Sequence, residues 1–107
     1  MQGTTPIEDQ NRQLLCRVLA ALENEEEAMA LLLEMCTPKE IKYWSQRAAT
    51  AELLMQGHTY GDIVKSLACE GSTISTATIN RVNETIKKGG SSCLRVMIQR
   101  ASGADGC

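Results

Sequence analysis

The side chains between residues 76 and 87 include the types that form specific hydrogen bonds with DNA bases. An asparagine amide can bind adenine through two hydrogen bonds, an arginine guanidinium can do the same with guanine, and threonine offers a hydroxyl and a methyl group. Apolar residues alternate with these types at helical spacing and would share one side of a helix: Ile79, Val82 and Ile86. The opposite side then carries Thr76, Thr78, Asn80, Arg81, Asn83, Glu84 and Lys87. This pattern predicts a DNA-contacting face, with an ordinary polar surface helix as the alternative.

A second short helix is predicted directly before this one. Thr59 can cap its N-terminus together with Asp62, and the helix should end by about Cys69. Its apolar side would consist of Ile63, Val64 and Leu67. Two short helices joined by a break are the outline of a helix-turn-helix, here over about residues 59–88.

The boundaries of the second helix follow from polar and glycine residues. Ser75 or Thr76 can cap its start, and Gly89-Gly90 should stop it. The residues near its start would enter the major groove, while Lys87 and Lys88 at its end would contact phosphate.

The first half of the chain predicts three helices, over about residues 7–21, 24–35 and 38–57. Pro6 bounds the first helix, and Asn24 caps the second. Thr37 to Glu40 form a capping-box pattern at the start of the third, which Gly57 ends. Five apolar residues line one face of the first helix: Leu14, Leu15, Val18, Leu19 and Leu22.

A last helix over about residues 92–100 completes the expectation of an all-α fold. The helices are assigned to one domain, residues 1–100, and residues 101–107 to a frayed tail. Trp44 falls on an apolar stripe with Ile41 and Ala48, which favours core or dimer packing, whereas Tyr43 should be exposed.

The charge is unevenly distributed along the 107 residues, whose formal net charge is -2. Residues 1–57 carry nine Asp or Glu and five Lys or Arg, whereas residues 58–107 carry four and six. Because phosphate attracts positive charge, any DNA contact is expected in the second half.

No residue pattern indicates catalysis or a bound metal or cofactor. There is one histidine, His58, and the five widely spaced cysteines contain no Cys-x-x-Cys pair. Cys16 and Cys36 are interpreted as reduced thiols in the core. The longest apolar run, residues 28–33, is far shorter than the roughly 18 residues that a membrane span requires, which predicts a cytoplasmic protein without membrane contact.

From Leu31 to Ile86 the sequence resembles the Trp-repressor superfamily, in particular its YerC/YecD-type branch. The matching pieces are residues 32–41, Gln46-Arg47, residues 52–54 with Gly57, residues 59–63, and residues 76–83, where that family keeps its recognition helix. The resemblance implies an intertwined homodimer held by the N-terminal helices, and a transcriptional repressor. Its two recognition helices would lie about 34 Å apart on a roughly palindromic operator of double-stranded DNA.

The resemblance implies a set of DNA-binding residues and an effector site. The DNA-binding set is Thr76, Ala77, Thr78, Asn80, Arg81, Asn83 and Lys87. Two arginines sandwich tryptophan in the repressor, and the matching positions are Arg47 and Arg81, with Thr37 as a further effector candidate. The repressor has glycine where this chain has Val82, whose branched side chain would fill part of the pocket. Tryptophan is therefore disfavoured, and another small effector stays open.

The turn between the two helices departs from the family pattern. It is about five residues longer, around Ala68 to Thr73, and includes Glu70. A helix-turn-helix depends on the angle between its helices, so the longer turn leaves an alternative open. In that alternative, the chain is a helical protein-interaction module that keeps the fold without binding DNA.

Overall fold

The computed structural model describes residues 5–69 and 73–103, and every regular element in these ranges is a helix. The elements are α1 (Pro6–Ala20), α2 (Glu25–Met35), α3 (Pro38–Met55), α4 (Tyr60–Cys69), α5 (Thr76–Ile86), a 3-10 turn (Gly89–Ser91) and α6 (Cys93–Ala101). The predicted all-α class is confirmed. Two compact units are present, Met1–Pro38 and Lys39–Cys107. The assignment of residues 1–100 to one domain stays a prediction, and residues 104–107 of the predicted tail lie outside the described ranges.

Helix α1 begins one residue earlier than predicted. Thr5 Oγ1 accepts a hydrogen bond from Glu8 N at 3.1 Å, and the Glu8 carboxylate accepts one from Thr5 N at 3.2 Å. Pro6 occupies the first helical position, where its missing N–H is not needed and its backbone angle suits the helix. Pro6 therefore starts α1 and does not stand outside it.

Most large apolar side chains of the first unit are exposed to solvent, while Leu22, Leu31 and Leu32 are half-buried. No residue of α1 or α2 is buried, and Leu14 and Leu33 are 53% and 67% exposed. The exposed large apolar residues of the two helices are Ile7, Leu14, Leu15, Val18, Leu19, Met29, Leu33 and Met35. Cys16 is exposed and Cys36 is half-buried, so their predicted place in a core is wrong for this single chain.

The core of the second unit surrounds one face of α3. Ala51 of α3 packs with Val82 and Ile86 of α5, and partly buried side chains of α6 cover this cluster. A second cluster joins Ile63 of α4 to Ile79 of α5, with Leu53 and Leu54 of α3 against it. Because α3 contributes to both clusters, it is the support on which the two following helices pack.

The connection between α3 and α4 agrees with the sequence prediction. Gly57 has a φ of +92°, in the left-handed region that glycine tolerates best. His58 N donates to Leu53 O at 3.1 Å, in addition to the bond that this carbonyl accepts from Gln56 N at 3.2 Å, and this contact closes the end of α3.

Trp44 lies outside the core of this chain, where its side chain is 56% exposed. The core alternative for Trp44 is therefore wrong, and dimer packing stays a prediction. Tyr43 is exposed as expected. The buried positions of α3 are instead Gln46, Thr50 and Ala51, which all lie C-terminal to Trp44.

Thr50 is fully buried, and its hydroxyl has no hydrogen-bond partner among the described residues. We expect Thr50→Val to raise the free energy of unfolding by about 1 kcal/mol, because the isosteric methyl group removes an unpaired buried hydroxyl. Urea unfolding would measure the change. Thr85→Val is the matched control, because the Thr85 hydroxyl donates to Arg81 O at 3.1 Å. The control should lose stability, because it removes that hydrogen bond. A loss of the same size in Thr50→Val would contradict the expectation.

Candidate nucleic-acid interface

Helices α4 and α5 form the predicted pair, and local caps determine where each begins. Thr59 Oγ1 accepts a hydrogen bond from Asp62 N at 3.1 Å, and the Asp62 carboxylate accepts one from Thr59 N at 3.2 Å. Ser75 caps α5, and its Oγ accepts from Thr78 N at 3.1 Å. The sequence left Ser75 and Thr76 as alternatives, and the structure assigns the cap to Ser75. Both helices begin as the sequence predicted.

Helix α5 separates into a buried side and an exposed polar side. Ile79, Val82 and Ile86 are at most 3% exposed and join the two core clusters. The predicted DNA-binding residues are exposed or half-buried: Thr76, Ala77, Asn80, Arg81 and Lys87 are exposed, and Thr78 and Asn83 are half-buried. The core therefore holds α5 by one side and leaves the other side accessible to a ligand.

The polar side chains of α5 differ in how freely they can contact a ligand. Arg81 has no ion pair or side-chain hydrogen bond within the described ranges, and its guanidinium is available. The Thr78 hydroxyl lies 3.0 Å from Ser75 Oγ and is shared with the cap. Lys87 Nζ lies 3.4 Å from a carboxylate oxygen of Glu84, and both side chains are exposed. Of these side chains, Arg81 is the cation that can bind an external acceptor without breaking a contact.

Asn80 is held by a residue of the preceding helix. The Tyr60 hydroxyl donates to Asn80 Oδ1 at 3.2 Å across 20 residues of sequence. The Tyr60 side chain also packs against the cluster of Ile63, Leu67 and Ile79. The order of amino acids did not predict a role for Tyr60, because no local pattern connects residues on two different helices.

The turn between α4 and α5 is described at its two ends. Residues 70–72, the central part of the predicted lengthened turn, lie outside the described ranges. Ala68 and Cys69 belong to α4, so the helix takes up the first residues of the predicted insertion. Gln46 is buried, and its Nε2 donates to Thr73 O at 2.9 Å. This contact fastens the end of the turn to α3 just before α5 begins, and the sequence did not predict it.

The C-terminus of α5 is supported by α6. Arg95 Nη1 donates to Ile86 O, the carbonyl of the last residue of α5, at 3.2 Å. A cation at this position satisfies a terminal carbonyl and opposes the negative end of the helix dipole. Arg95 therefore stabilises the C-terminal end of α5, a role that no local sequence pattern predicted.

The pKa of Asp62 is lowered from its ordinary value of 3.8. The largest cause is the hydrogen bond from the Thr59 backbone, followed by the bond from the Thr59 hydroxyl and the nearby charges of His58 and Lys65. These contacts favour the ionised carboxylate, so the cap at the start of α4 depends on its charge.

Protonation of Asp62 is expected to weaken the folded state in acid. Because the pKa is lowered on folding, the contribution of Asp62 is complete above 3.8 and disappears as pH falls through the lowered value. We expect Asp62→Asn to be less stable than the parent at neutral pH, and the difference to vanish in strong acid. Urea unfolding across this pH range would show it, with Asp9→Asn in α1 as control. A difference that is independent of pH would contradict the expectation.

The three effector candidates, Thr37, Arg47 and Arg81, are divided between the two compact units. Thr37 is an exposed residue of the first unit, directly before α3. Arg47 is half-buried, and its guanidinium carbon lies 5.2 Å from the centre of the Tyr43 ring on the same helix. A cavity of about 190 Å³ in the second unit is lined by Glu52, Met55, Gln56, Ile98, Gln99 and Ser102, and none of the three candidates lines it.

The residues from 10 to 101 match the family model of the Trp repressor protein. The chain belongs to the Trp repressor protein family. No curated protein and no solved structure matches the chain. The Trp repressor match covers most of α1 and all of α2 to α6, including both helices of the helix-turn-helix. The Trp repressor family consists of helical DNA-binding transcription regulators and is not a family of enzymes.

Two further observations concern other classes of site. None of the helices in the described ranges combines the length and hydrophobicity that a membrane span requires. The described part of the chain also contains no group of three or more His, Cys, Asp and Glu side chains arranged to hold a metal ion.

Proposed function

We propose that this chain is a sequence-specific DNA-binding transcription regulator that acts as a homodimer and represses its target. The observation that carries the proposal is the division of α5 into two sides. One side is buried in the core, and the other exposes Asn80 and Arg81, whose guanidinium has no partner among residues 5–69 and 73–103. Membership of the Trp repressor family supports the same function. The resemblance of residues 31–86 to the YerC/YecD-type branch is the finer assignment that we propose.

The DNA contacts would be divided along α5. Thr76, Ala77 and Thr78 at its start would enter the major groove, and Asn80 and Arg81 would bind base edges. Asn83 and Lys87 would contact the sugar-phosphate backbone, which contributes affinity that does not depend on sequence. The ion pair of Lys87 with Glu84 would have to open or shift for full contact with phosphate.

A second copy of the chain is the proposed partner of the first unit. The exposed apolar side chains of α1 and α2 form a surface of the kind that monomeric proteins rarely leave in water. Packing against the same surface of another copy would bury these side chains. The dimer would place two α5 helices about 34 Å apart, which matches one turn of DNA.

An effector other than tryptophan is the remaining proposal for Thr37, Arg47 and Arg81. Val82 is 3% exposed and packs with Ala51 and Ile86, so the position that leaves room in the repressor is filled by a core side chain. Arg47 already stacks on Tyr43, and a flat ligand would compete with that contact.

Selection from a random duplex library with the full chain, at about physiological salt, tests the proposed function. We expect a palindromic motif to be enriched. Binding to random duplex should weaken steeply as salt is added, because the protein displaces condensed cations from the DNA when it binds and added salt opposes their release. A chain that enriches no motif and shows no salt-dependent binding would instead be a helical protein-interaction module. The net charge of -2 is compatible with that alternative.

A further inference from the structure

We propose that Tyr60 is a positioning residue that orients the Asn80 amide and thereby determines the base preference at the position that Asn80 contacts. The inference rests on the proposed function, because it assigns a role within the DNA-binding surface of α5. It concerns a residue of α4 that lies outside the predicted recognition set.

The Tyr60 ring is anchored, while its hydroxyl reaches the surface. Tyr60 is the first residue of α4, and the Thr59 and Asp62 capping contacts define where that helix begins. Its half-buried ring packs against a cluster that contains Ile79 of α5. The hydroxyl then lies 3.2 Å from Asn80 Oδ1. Two fixed helices therefore hold the donor and the acceptor of this hydrogen bond.

The hydrogen bond restricts the conformation of an exposed side chain. An isolated asparagine on a helix surface samples several rotamers, and ordering it on binding costs free energy. The Tyr60 hydroxyl donates to Oδ1, which keeps a second lone pair, and the two N–H groups of Nδ2 stay free. Adenine presents an N7 acceptor and an N6 donor in the major groove. The held amide can satisfy both groups without losing its bond to Tyr60.

Tyr60→Phe removes the hydroxyl and keeps the ring in the cluster. We expect the affinity for the selected operator to fall about 3- to 10-fold, which corresponds to the loss of one hydrogen bond. The preference for adenine should weaken at one position, the position at which Asn80→Ala also loses preference. The affinity for random duplex and the thermal unfolding temperature should change little, because the core contacts and the charge are retained and the lost hydrogen bond is exposed.

The same substitution in the Asn80→Ala background completes the test. If Tyr60 acts through Asn80, the double variant should bind as Asn80→Ala does, so the two effects will not add. Tyr43→Phe is the matched control, since Tyr43 is an exposed tyrosine of α3 and contacts Arg47.

Three results would overturn the inference while leaving the proposed function intact. The first is an unchanged base preference in Tyr60→Phe. The second is a loss of affinity on adding Tyr60→Phe to Asn80→Ala that equals the loss in the parent protein. The third is an unchanged motif in Asn80→Ala itself. If the parent protein enriches no motif at all, the proposed function fails, and the inference fails with it.

Discussion

Leu15→Glu in α1 is expected to convert the homodimer into monomers and to reduce operator affinity by at least about 100-fold. Leu15 belongs to the exposed apolar face of α1, together with Leu14, Val18 and Leu19. A carboxylate at the centre of that face would be desolvated without a partner in the dimer, whereas water would solvate it in the monomer. Two linked recognition helices bind far more tightly than one, so loss of the dimer removes that advantage.

Sedimentation would measure the mass, and a duplex titration would measure the affinity. Gln13→Glu is the matched control, because it makes the same charge change at an exposed position on the opposite side of α1. Circular dichroism would show that both variants keep their helices. A Leu15→Glu protein that stays dimeric and binds the operator normally would rule out this face of α1 as the dimer interface.

Arg81→Ala is expected to weaken operator binding by roughly 1–3 kcal/mol, or about 5- to 150-fold, and to relax base preference at one position. Arg81 is exposed and has no partner among the described residues, so the folded state loses little when its side chain is removed. Two parallel hydrogen bonds from a guanidinium to guanine are among the strongest specific contacts in the major groove. A titration against the selected operator and its single-base variants would measure the loss.

Two further variants separate base recognition from simple charge. Arg100→Ala removes the same charge from an exposed position on α6 and should change operator binding only slightly. Arg81→Lys keeps the charge without the forked geometry, so it should retain the salt dependence and lose the base preference. Equal losses in Arg81→Ala and Arg100→Ala would show that Arg81 contributes only to the general charge.

The sequence alone was sufficient for the features that depend on neighbours within one or two helical turns. Asn24 and Thr59 cap their helices as predicted, and Ser75 is one of the two caps proposed for α5. The buried and exposed sides of α5 follow from the spacing of Ile79, Val82 and Ile86. Caps and periodicity act over three or four residues, and so they are visible in the order of the amino acids.

Contacts between helices were decided by the tertiary structure. Tyr60 and Asn80 are 20 residues apart, Gln46 and Thr73 are 27 apart, and Arg95 meets the carbonyl at the end of α5. Periodicity indicates which side of a helix is apolar, but it does not indicate which polar side chain of one helix meets which atom of another. Such pairs depend on how the helices pack together. Tyr60 meets Asn80, for example, because α4 and α5 both pack against α3.

The exposure of the apolar residues shows the same division. Helical spacing placed Leu14, Leu15, Val18 and Leu19 on one face of α1, and the structure has them on that helix and exposed to solvent. Spacing alone also placed Trp44 on an apolar stripe, yet its side chain is exposed, because the core clusters contact α3 only at positions C-terminal to Trp44, from Ala49 to Met55. The sequence by itself determined the helices and their apolar faces. Only the packing of α3, α4, α5 and α6 decided which part of α3 is buried and which polar side chains of α5 are held or free. The physical reason is that amphipathicity is a property of one helix, whereas burial and long-range hydrogen bonds depend on where its neighbours lie.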